Sequence, residues 1–431
     1  MKIIFWGATD QVTGSKTFVE LPEGRILIDG GLVQGPENAE EQNLENLPFK
    51  PSEIKAIILT HAHLDHSGYL PRLVKKGFDG PIYCTPATAK LVKIILLDSA
   101  KLSEEEFYSQ QDVMLTDSLI KPVNWHQKIS ILGAQFELTP AGHILGASSV
   151  ILKSDDKKII FSGDLGRFDD PLLPAPELCH DGNLIIMEST YGGKFRIGDY
   201  HKDLHTFIAS VVTDSRVGII ASFAVARAQM LMSLIFDFFQ RHPEYKVRVV
   251  LDSPMMKEAS KIYKQFSALT KNQHLVVSAM EEFDVLEHER EWESLQKKSG
   301  PLIIISSSGM LTGGRIKRHL ANWQNDNKAI LFLPGYQGEG TPGRAFLEGD
   351  RTIPLNEEEN IHWSGEVWGS EAFSSHADQG ELIQWLEGVD KTRSICLLHG
   401  EALAKMELKK KLNDLGYKNV FIPFKGEIKL I

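Results

Sequence analysis

Eight short apolar runs dominate the first part of the chain: KIIFWG, KTFVEL, RILIDGG, AIILTHAH, FELTPAGH, ASSVILKS, KKIIFSGD and NLIIMEST. They are rich in β-branched and aromatic residues and end in polar or glycine-containing turns, the pattern of short strands. Helical periodicity is sparser there, clearest in TAKLVKIILLDSAKL from Thr88. Many strands with few helices predict stacked sheets flanked by helices, because every sheet has apolar faces to cover.

From about Lys194 to Ser374 the pattern changes. Apolar runs such as VGIIASF, KVRVVLDSP, PLIIISSSGM and KAILFLPGY alternate with helical segments such as ARAQMLMSLIFDFFQRH, MMKEASKIYKQF and GGRIKRHLANW. That alternation predicts a parallel α/β unit. Beyond it come SEAFSSHADQ, a helix ELIQWLEGV, a strand RSICLLHGE and an amphipathic helix ALAKMELKKKLNDLG. At 431 residues the chain exceeds one usual hydrophobic core. With no repeat or low-complexity linker, the expectation is an insertion: residues 1–193 and 375–431 form one domain, and residues 194–374 a second domain set into it.

Composition narrows the function classes. With 42% hydrophobic and 24% charged residues the chain has the make-up of an ordinary globular protein. The opening MKIIFWGATDQVTG breaks its apolar run at Gly7, and no stretch nears the ~20 apolar residues that span a bilayer. Secretion and membrane insertion are disfavoured, and the expected compartment is the cytoplasm. Cys84, Cys179 and Cys396 are few, far apart and odd in number, so neither a disulfide framework nor a cysteine metal cage is indicated. A formal net charge of -10 opposes binding of polyanions over the whole surface. It leaves open a local groove in which metal cations and a few arginines hold phosphates.

The stretch LTHAHLDHSGYLP puts three histidines and an aspartate into six positions, His61, His63, Asp65 and His66. With 15 histidines in the chain, chance produces H-x-H-x-D-H on the order of once in a thousand such sequences. Imidazole and carboxylate are zinc ligands, and residues two apart at the end of the strand AIILT can converge on one point. Catalysis needs further groups that bridge and orient. His143 in TPAGHILGAS, Asp164 in IIFSGDLGR and His399 in CLLHGE each follow an apolar strand, with glycines alongside that let the backbone bend away from a crowded site.

Together with Asp29 in LIDGG, these residues resemble the metallo-β-lactamase superfamily, whose fold is an αββα sandwich with two metals at one edge. Glu188 in MESTYGG, His376 in SSHADQ and His399 in LLHGE resemble, in order, the three further motifs of its β-CASP branch, which includes the cleavage-and-polyadenylation endonuclease and ribonuclease J. The resemblance implies an α/β chain in which a metallo-β-lactamase sandwich carries an inserted parallel α/β β-CASP domain. It implies two Zn2+ ions, one on His61, His63 and His143 and the other on Asp65, His66 and His399, bridged by Asp164. Asp29 takes the place of an orienting carboxylate, and His376, paired with Glu188, that of a general acid. With a shared hydroxide as nucleophile, the implied reaction is hydrolysis of phosphodiester bonds, endonucleolytic, with 5′ to 3′ exonucleolytic action left open by the sequence. RNA-processing members keep the last-motif histidine, so His399 points to single-stranded RNA as substrate.

Two glycine-rich loops, SSSGMLTGGR and PGYQGEGTPGR, also resemble β-CASP loops and offer Ser306, Ser307, Ser308, Gly309, Arg315 and Arg344 as phosphate contacts, with a helix beginning near Gly313. Arg227 in FAVARAQ is a further candidate, in a motif whose family form is G-R-x-Q and which here has Ala226 in place of the glycine. With no RNA-binding module ahead of Met1 and no added domain after Ile431, the expectation is the minimal prokaryotic form without KH domains. The chief alternative is a hydrolase of a small thioester, lactone or lactam, which suits the acidic surface but leaves the inserted domain and the Glu188 and His376 pair without a role. A scaffold that has lost its metal is opposed by the filled ligand positions, and an oxygen-reducing di-iron protein by His63, where those relatives carry glutamate.

Overall fold

In the computed structural model, which describes residues 1–35, 38–286, 288–356 and 358–431, the chain divides into two units, 1–195 with 375–431, and 196–374. The first boundary falls after Phe195 rather than after Gly193. The Lys194 carbonyl accepts from Gln379 N at 2.9 Å, which ties residue 194 to the first unit.

The first unit contains two seven-stranded sheets. In one, strands lie in the order Ile428–Leu430, Lys2–Phe5, Thr17–Leu21, Gly24–Ile28, Ile54–Ile58, Ile82–Cys84, Ile120–Pro122. In the other the order is Asn419–Phe421, Ser394–Leu397, Leu184–Met187, Lys157–Phe161, Ser148–Ser154, Ala134–Pro140, Ile129–Ile131. Successive side chains of a strand point to opposite faces. Ile3, Phe5, Val19, Ile26, Ile28 and Ile58 from the first sheet therefore meet Phe136, Leu138, Val150, Leu152, Phe161 and Ile186 from the second in one core. The intervening Ile4, Phe18, Leu27, Ile57, Ile185 and Ile395 are buried as well, so both faces of each sheet are covered. Helices Pro86–Ser99 and Gln110–Leu119 lie beside the edge of the first sheet, and Ala402–Asp414 beside that of the second. This is the αββα sandwich.

The second unit is built on a six-stranded sheet in the order Asp284–Val285, Val249–Asp252, Leu302–Ser306, Val217–Ala221, Ile330–Pro334, Glu366–Ser370, with every pair parallel. Its four inner strands are buried along their whole length because both faces are covered by helices, whereas the edge strands Asp284–Val285 and Glu366–Ser370 are partly exposed. Ile220, Ile303, Ile305, Ile330 and Phe332 pack on one side with helices Tyr200–Thr213 and Arg227–Arg241. Ile219, Leu302, Ile304, Leu331 and Leu333 pack on the other with Glu289–Gln296 and Ile316–Trp323. Among the described residues no helix is long and apolar enough to cross a membrane. Cys84, Cys179 and Cys396 are buried free thiols.

Candidate metal centre

Strand ends of the first unit deliver the polar residues to one place. Gly24–Ile28 leads to Asp29, Ile54–Ile58 to Thr60, His61 and His63, Ala134–Pro140 to His143, Lys157–Phe161 to Asp164, Leu184–Met187 to Glu188, and Ser394–Leu397 to His399. Asp65 and His66 lie on the short helix Leu64–Ser67. Asp29 and His399 have φ of 59° and 49°, a left-handed conformation uncommon outside glycine, which places both side chains immediately past their strands.

Seven of these residues form two groups that share Asp164: His61, His63, His143 and Asp164, and Asp65, His66, His399 and Asp164, each with its candidate ligand atoms within 4.8 Å of one another. In the first group His63 Nδ1 is 3.2 Å from both His61 Nε2 and His143 Nε2. In the second, His66 Nε2 is 3.2 Å from His399 Nε2, and Asp65 Oδ2 is 3.4 Å from His399 Nε2. Asp164 turns one oxygen to each group. Its Oδ2 is 3.6 and 3.7 Å from His61 and His143 Nε2, and its Oδ1 is 3.1 Å from His66 Nε2 and 3.5 Å from His399 Nδ1.

Those spacings test whether the residues fit metal ions. Tetrahedral coordination with metal–ligand bonds of ~2.0–2.1 Å places neighbouring donors ~3.3–3.4 Å apart, and the separations above scatter around that value. Both Asp164 oxygens are buried, and neither has a hydrogen bond of proper geometry despite the imidazoles around them. A buried carboxylate in that condition calls for cations. The donor set fits divalent metal binding.

Ring orientation is fixed from behind, as metal-ligating histidines require. His66 Nδ1 meets Asp29 Oδ2 at 2.7 Å, and His61 Nδ1 meets Thr60 Oγ1 at 3.1 Å. The Thr60 hydroxyl also donates to Asp29 Oδ2 at 2.9 Å, and Thr60 N to Asp29 Oδ1 at 2.8 Å. His399 Nδ1 lies 3.1 Å from Thr190 Oγ1, and His143 Nδ1 lies 3.4 Å from the Ser375 carbonyl. Burial pushes His61, His63 and His143 below the usual imidazole range, the neutral form that can ligate. Burial also acts to lower His66, but Asp164 and Asp29 outweigh it and hold that ring well above its ordinary value.

Thr60 and Thr190 were not among the residues singled out from sequence. Thr60 directly precedes His61 and Thr190 lies two residues past Glu188. A hydroxyl beside a ligand carries no pattern of its own, and their role is visible only once the strands are assembled.

His376 stands at the edge of this group. Its Nδ1 is 3.2 Å from Glu188 Oε1, and its ring centroid is 4.4 Å from that of His143. Glu188 also accepts from Leu165 N at 2.6 Å and Thr190 N at 3.2 Å, so its carboxylate is fixed before it meets the ring. Burial disfavours the His376 cation, yet Glu188 more than compensates and raises it above the usual imidazole range.

The remaining candidates belong to the second unit. Ser306 is fully buried and its hydroxyl donates to the Asp252 carbonyl at 3.0 Å. Arg315 donates to Asp252 Oδ1 at 2.8 Å, and Arg344 to Glu348 at 2.6 Å. Ser307 and Ser308 are half-buried, Ser308 Oγ lies 3.2 Å from Thr312 Oγ1, and Gly309 is buried against Phe223. The helix after this loop begins at Ile316, with Arg315 as its cap. The two glycine-rich loops are joined, since Gly343 N donates to Met310 O at 3.0 Å and Gln337 Nε2 to Gly309 O at 3.1 Å. Arg227 is buried, donating to the Pro334 carbonyl at 2.6 Å. Ala226 before it has φ 70° and ψ -67°, with Arg227 N bonded to Val225 O at 3.0 Å, a γ-turn. That geometry gives a physical reason for the glycine in the family form of this motif.

Comparison with known proteins places this geometry. The Metallo-beta-lactamase superfamily matches residues 10–221, the Beta-Casp domain residues 228–346, and the Zn-dependent metallo-hydrolase RNA specificity domain residues 370–423. The chain is 32% identical over 414 residues to Ribonuclease TTHA0252 of Thermus thermophilus, covering 93% of both chains. It is 30% identical over 432 residues to an RNase J-like protein of Methanocaldococcus jannaschii, covering 98% of both. A protein of unknown function from Enterococcus faecalis V583 shares the fold, with TM-score 0.61, 16% identity and coverage of 100% of this chain and 99% of that one. The chain belongs to the β-CASP family of the metallo-β-lactamase superfamily and is a metal-dependent hydrolase.

Proposed function

We propose that this metal-dependent RNA hydrolase is an endonuclease working with two zinc ions, one on His61, His63, His143 and Asp164, the other on Asp65, His66, His399 and Asp164. The observation that carries the reading is the buried Asp164 carboxylate, with one unbonded oxygen toward each ligand group. Two divalent ions there would supply an attacking water of lowered pKa and neutralise the charge that grows on a phosphodiester during in-line displacement. Imidazole and carboxylate donors without cysteine suit zinc. RNA as substrate is supported by the ribonuclease name of the T. thermophilus relative and by the RNA specificity domain match.

The chain's own groups divide the remaining work. Asp29, Thr60 and Thr190 hold the histidine rings in orientation. His376, kept protonated by Glu188, delivers its proton to the leaving ribose oxygen as general acid. In the second unit, the joined loops carrying Ser307, Ser308, Gly309, Arg315 and Arg344 are assigned to the RNA backbone. Ser306 and Arg227 support those loops from beneath, which fits their burial.

The test is cleavage of labelled single-stranded RNA alongside thioester and lactam substrates, with metal content measured on the same preparation. Internal RNA cuts that disappear on chelation and return with zinc are expected. Hydrolysis of only the small molecules would refute the reading. Mononucleotides released only from RNAs bearing a 5′-monophosphate would assign 5′ to 3′ exonuclease action in addition.

A further inference from the structure

Near the metal centre the first unit contains a cavity of about 220 Å3, lined in part by Trp6, Gln11, Lys16, Gln42, Tyr69 and Lys425. One water needs only ~10–15 Å3 on this measure, so the space holds a molecule of many atoms. Its position follows from strand directions. Lys2–Phe5 runs antiparallel to Thr17–Leu21, which runs antiparallel to Gly24–Ile28, which is parallel to Ile54–Ile58. Trp6, Asp29 and Thr60 therefore leave the sheet at the same edge.

The loop from Trp6 to Ser15 serves both places. On the metal side, the Ala8 carbonyl accepts from His399 N at 2.8 Å, Ser15 N donates to Asp65 O at 2.8 Å, and Ser15 Oγ is 3.4 Å from His66 Nε2. The loop's residues Trp6 to Gln11 and Gly14 also line the cavity.

The lining suits a neutral heterocycle better than an anion. Lys425 is already paired with Glu45 and lies 5.2 Å over the Trp6 ring. Lys16 is buried, its ammonium 2.5 Å from the Gly31 carbonyl and 4.5 Å over the Tyr69 ring, and burial with Lys425 nearby lowers its pKa to about 7. With Glu45 and Lys425 offsetting each other, the exposed Asp10 adds negative charge to the wall and opposes a phosphate. What the cavity offers is aromatic surface and a pair of amides, Gln11 Nε2 donating to Gln42 Oε1 at 3.2 Å. Aromatic faces and amide groups recognise an unpaired nucleobase, by stacking and by hydrogen bonds along its edge.

We propose that this cavity receives one unpaired base of the RNA strand beside the scissile phosphate, held against Trp6 and read at its edge by Gln11 and Gln42. The proposal rests on the ribonuclease reading and adds to it a subsite that sets where along a strand the enzyme cuts.

The test uses the full-length protein with zinc and a set of single-stranded RNAs carrying one abasic residue at successive positions around a mapped cleavage site. An abasic residue at one position should slow cleavage about ten-fold or more, while neighbouring positions change it little. The double variant Gln11→Ala, Gln42→Ala and the cavity-filling Leu47→Trp, at another residue of the cavity wall, each checked for wild-type melting and metal content, should cut unmodified RNA more slowly and lose that positional response. A flat abasic scan with unmodified RNA still cut overturns the subsite and leaves the nuclease intact. The same result follows if the response persists in both variants, because the base is then read elsewhere. No cleavage of any RNA overturns the ribonuclease reading, and the subsite with it.

Discussion

Replacing Thr60 by valine removes one hydroxyl while keeping the branched shape, and the consequence can be worked out contact by contact. That hydroxyl lies 3.1 Å from His61 Nδ1 in one ligand group, 3.4 Å from His66 Nδ1 in the other, and donates to Asp29 Oδ2, which itself holds His66. Loss of a hydrogen-bond partner behind a ligand weakens metal binding ~10–100-fold, or about 1.4–2.7 kcal/mol. Because Thr60 backs both groups, both metal affinities should fall in Thr60→Val. Thr190 meets only His399, at 3.1 Å, so Thr190→Val should weaken one affinity and spare the other. The metal-free protein should also melt lower. Asp29 keeps Thr60 N at 2.8 Å and His66 at 2.7 Å, so the loss is the hydroxyl's bond to the Asp29 carboxylate and its contact with His61 Nδ1, about 2 kcal/mol, or roughly 4–8 °C of melting temperature. Competition against a chromogenic chelator reads the two affinities, and thermal melting in excess chelator reads the fold. Should Thr60→Val melt lower yet bind both ions as tightly as wild type, the hydroxyl serves only the fold and the orienting role is wrong.

Other outcomes follow from the same geometry. Asp164→Ala should hold at most one metal ion per chain by elemental analysis and lose nearly all cleavage, since among the described residues Asp164 alone belongs to both groups. His376→Ala should retain both ions and bind RNA, yet cut ~10²–10⁴-fold more slowly; wild-type turnover in a metal-replete variant would remove the general-acid assignment. In the second unit, burial acts to raise the Asp252 pKa, but His319, Arg315 and Arg318 outweigh it and bring it from 3.8 to about 2. A depressed carboxyl contributes stability that is complete above its unfolded value and lost as pH falls through the folded one. Melting temperature should therefore drop between about pH 4 and 2, and Asp252→Asn should flatten that slope while melting lower at neutral pH. Gly335 has φ 103°, and a Cβ there would sit 2.3 Å from the Arg227 guanidinium. Gly335→Ala should lower the melting temperature of the second unit, and an unchanged melt would refute the buried placement of Arg227.

The sandwich was legible because its strands are apolar on both faces and end in residues that make poor strand formers. The runs KIIFWG, RILIDGG and AIILTHAH became Lys2–Phe5, Gly24–Ile28 and Ile54–Ile58. Ile82–Cys84, Ile120–Pro122 and Ile129–Ile131 were missed: three residues hold too little periodicity to be told from a loop. The helix read from Thr88 begins at Pro86, capped by the Thr85 hydroxyl, and ends at Ser99. The helix after His376 is capped by Asp378 with Glu381. In the site, residues with chemistry of their own stood out by type, whereas Thr60, Thr190 and Ser15 gain meaning only from neighbours far along the chain. Ser15 meets His66 across 51 positions, and Thr190 meets His399 across 209. No local pattern encodes such a meeting. The cavity beside Trp6 was invisible for the same reason, being assembled from the first loop, the segment near Gln42, and Lys425.

His66 and His399 touch across 333 positions of sequence, and this has a consequence during synthesis. With a ribosome adding about 5–20 residues per second, His399 is joined to the growing chain roughly 17–67 s after His66. The strand Ser394–Leu397 must then slot between Leu184–Met187 and Asn419–Phe421 before His399 can meet His66. Throughout that interval the nascent polypeptide is tethered to its own messenger with its cluster of histidines and aspartates incomplete.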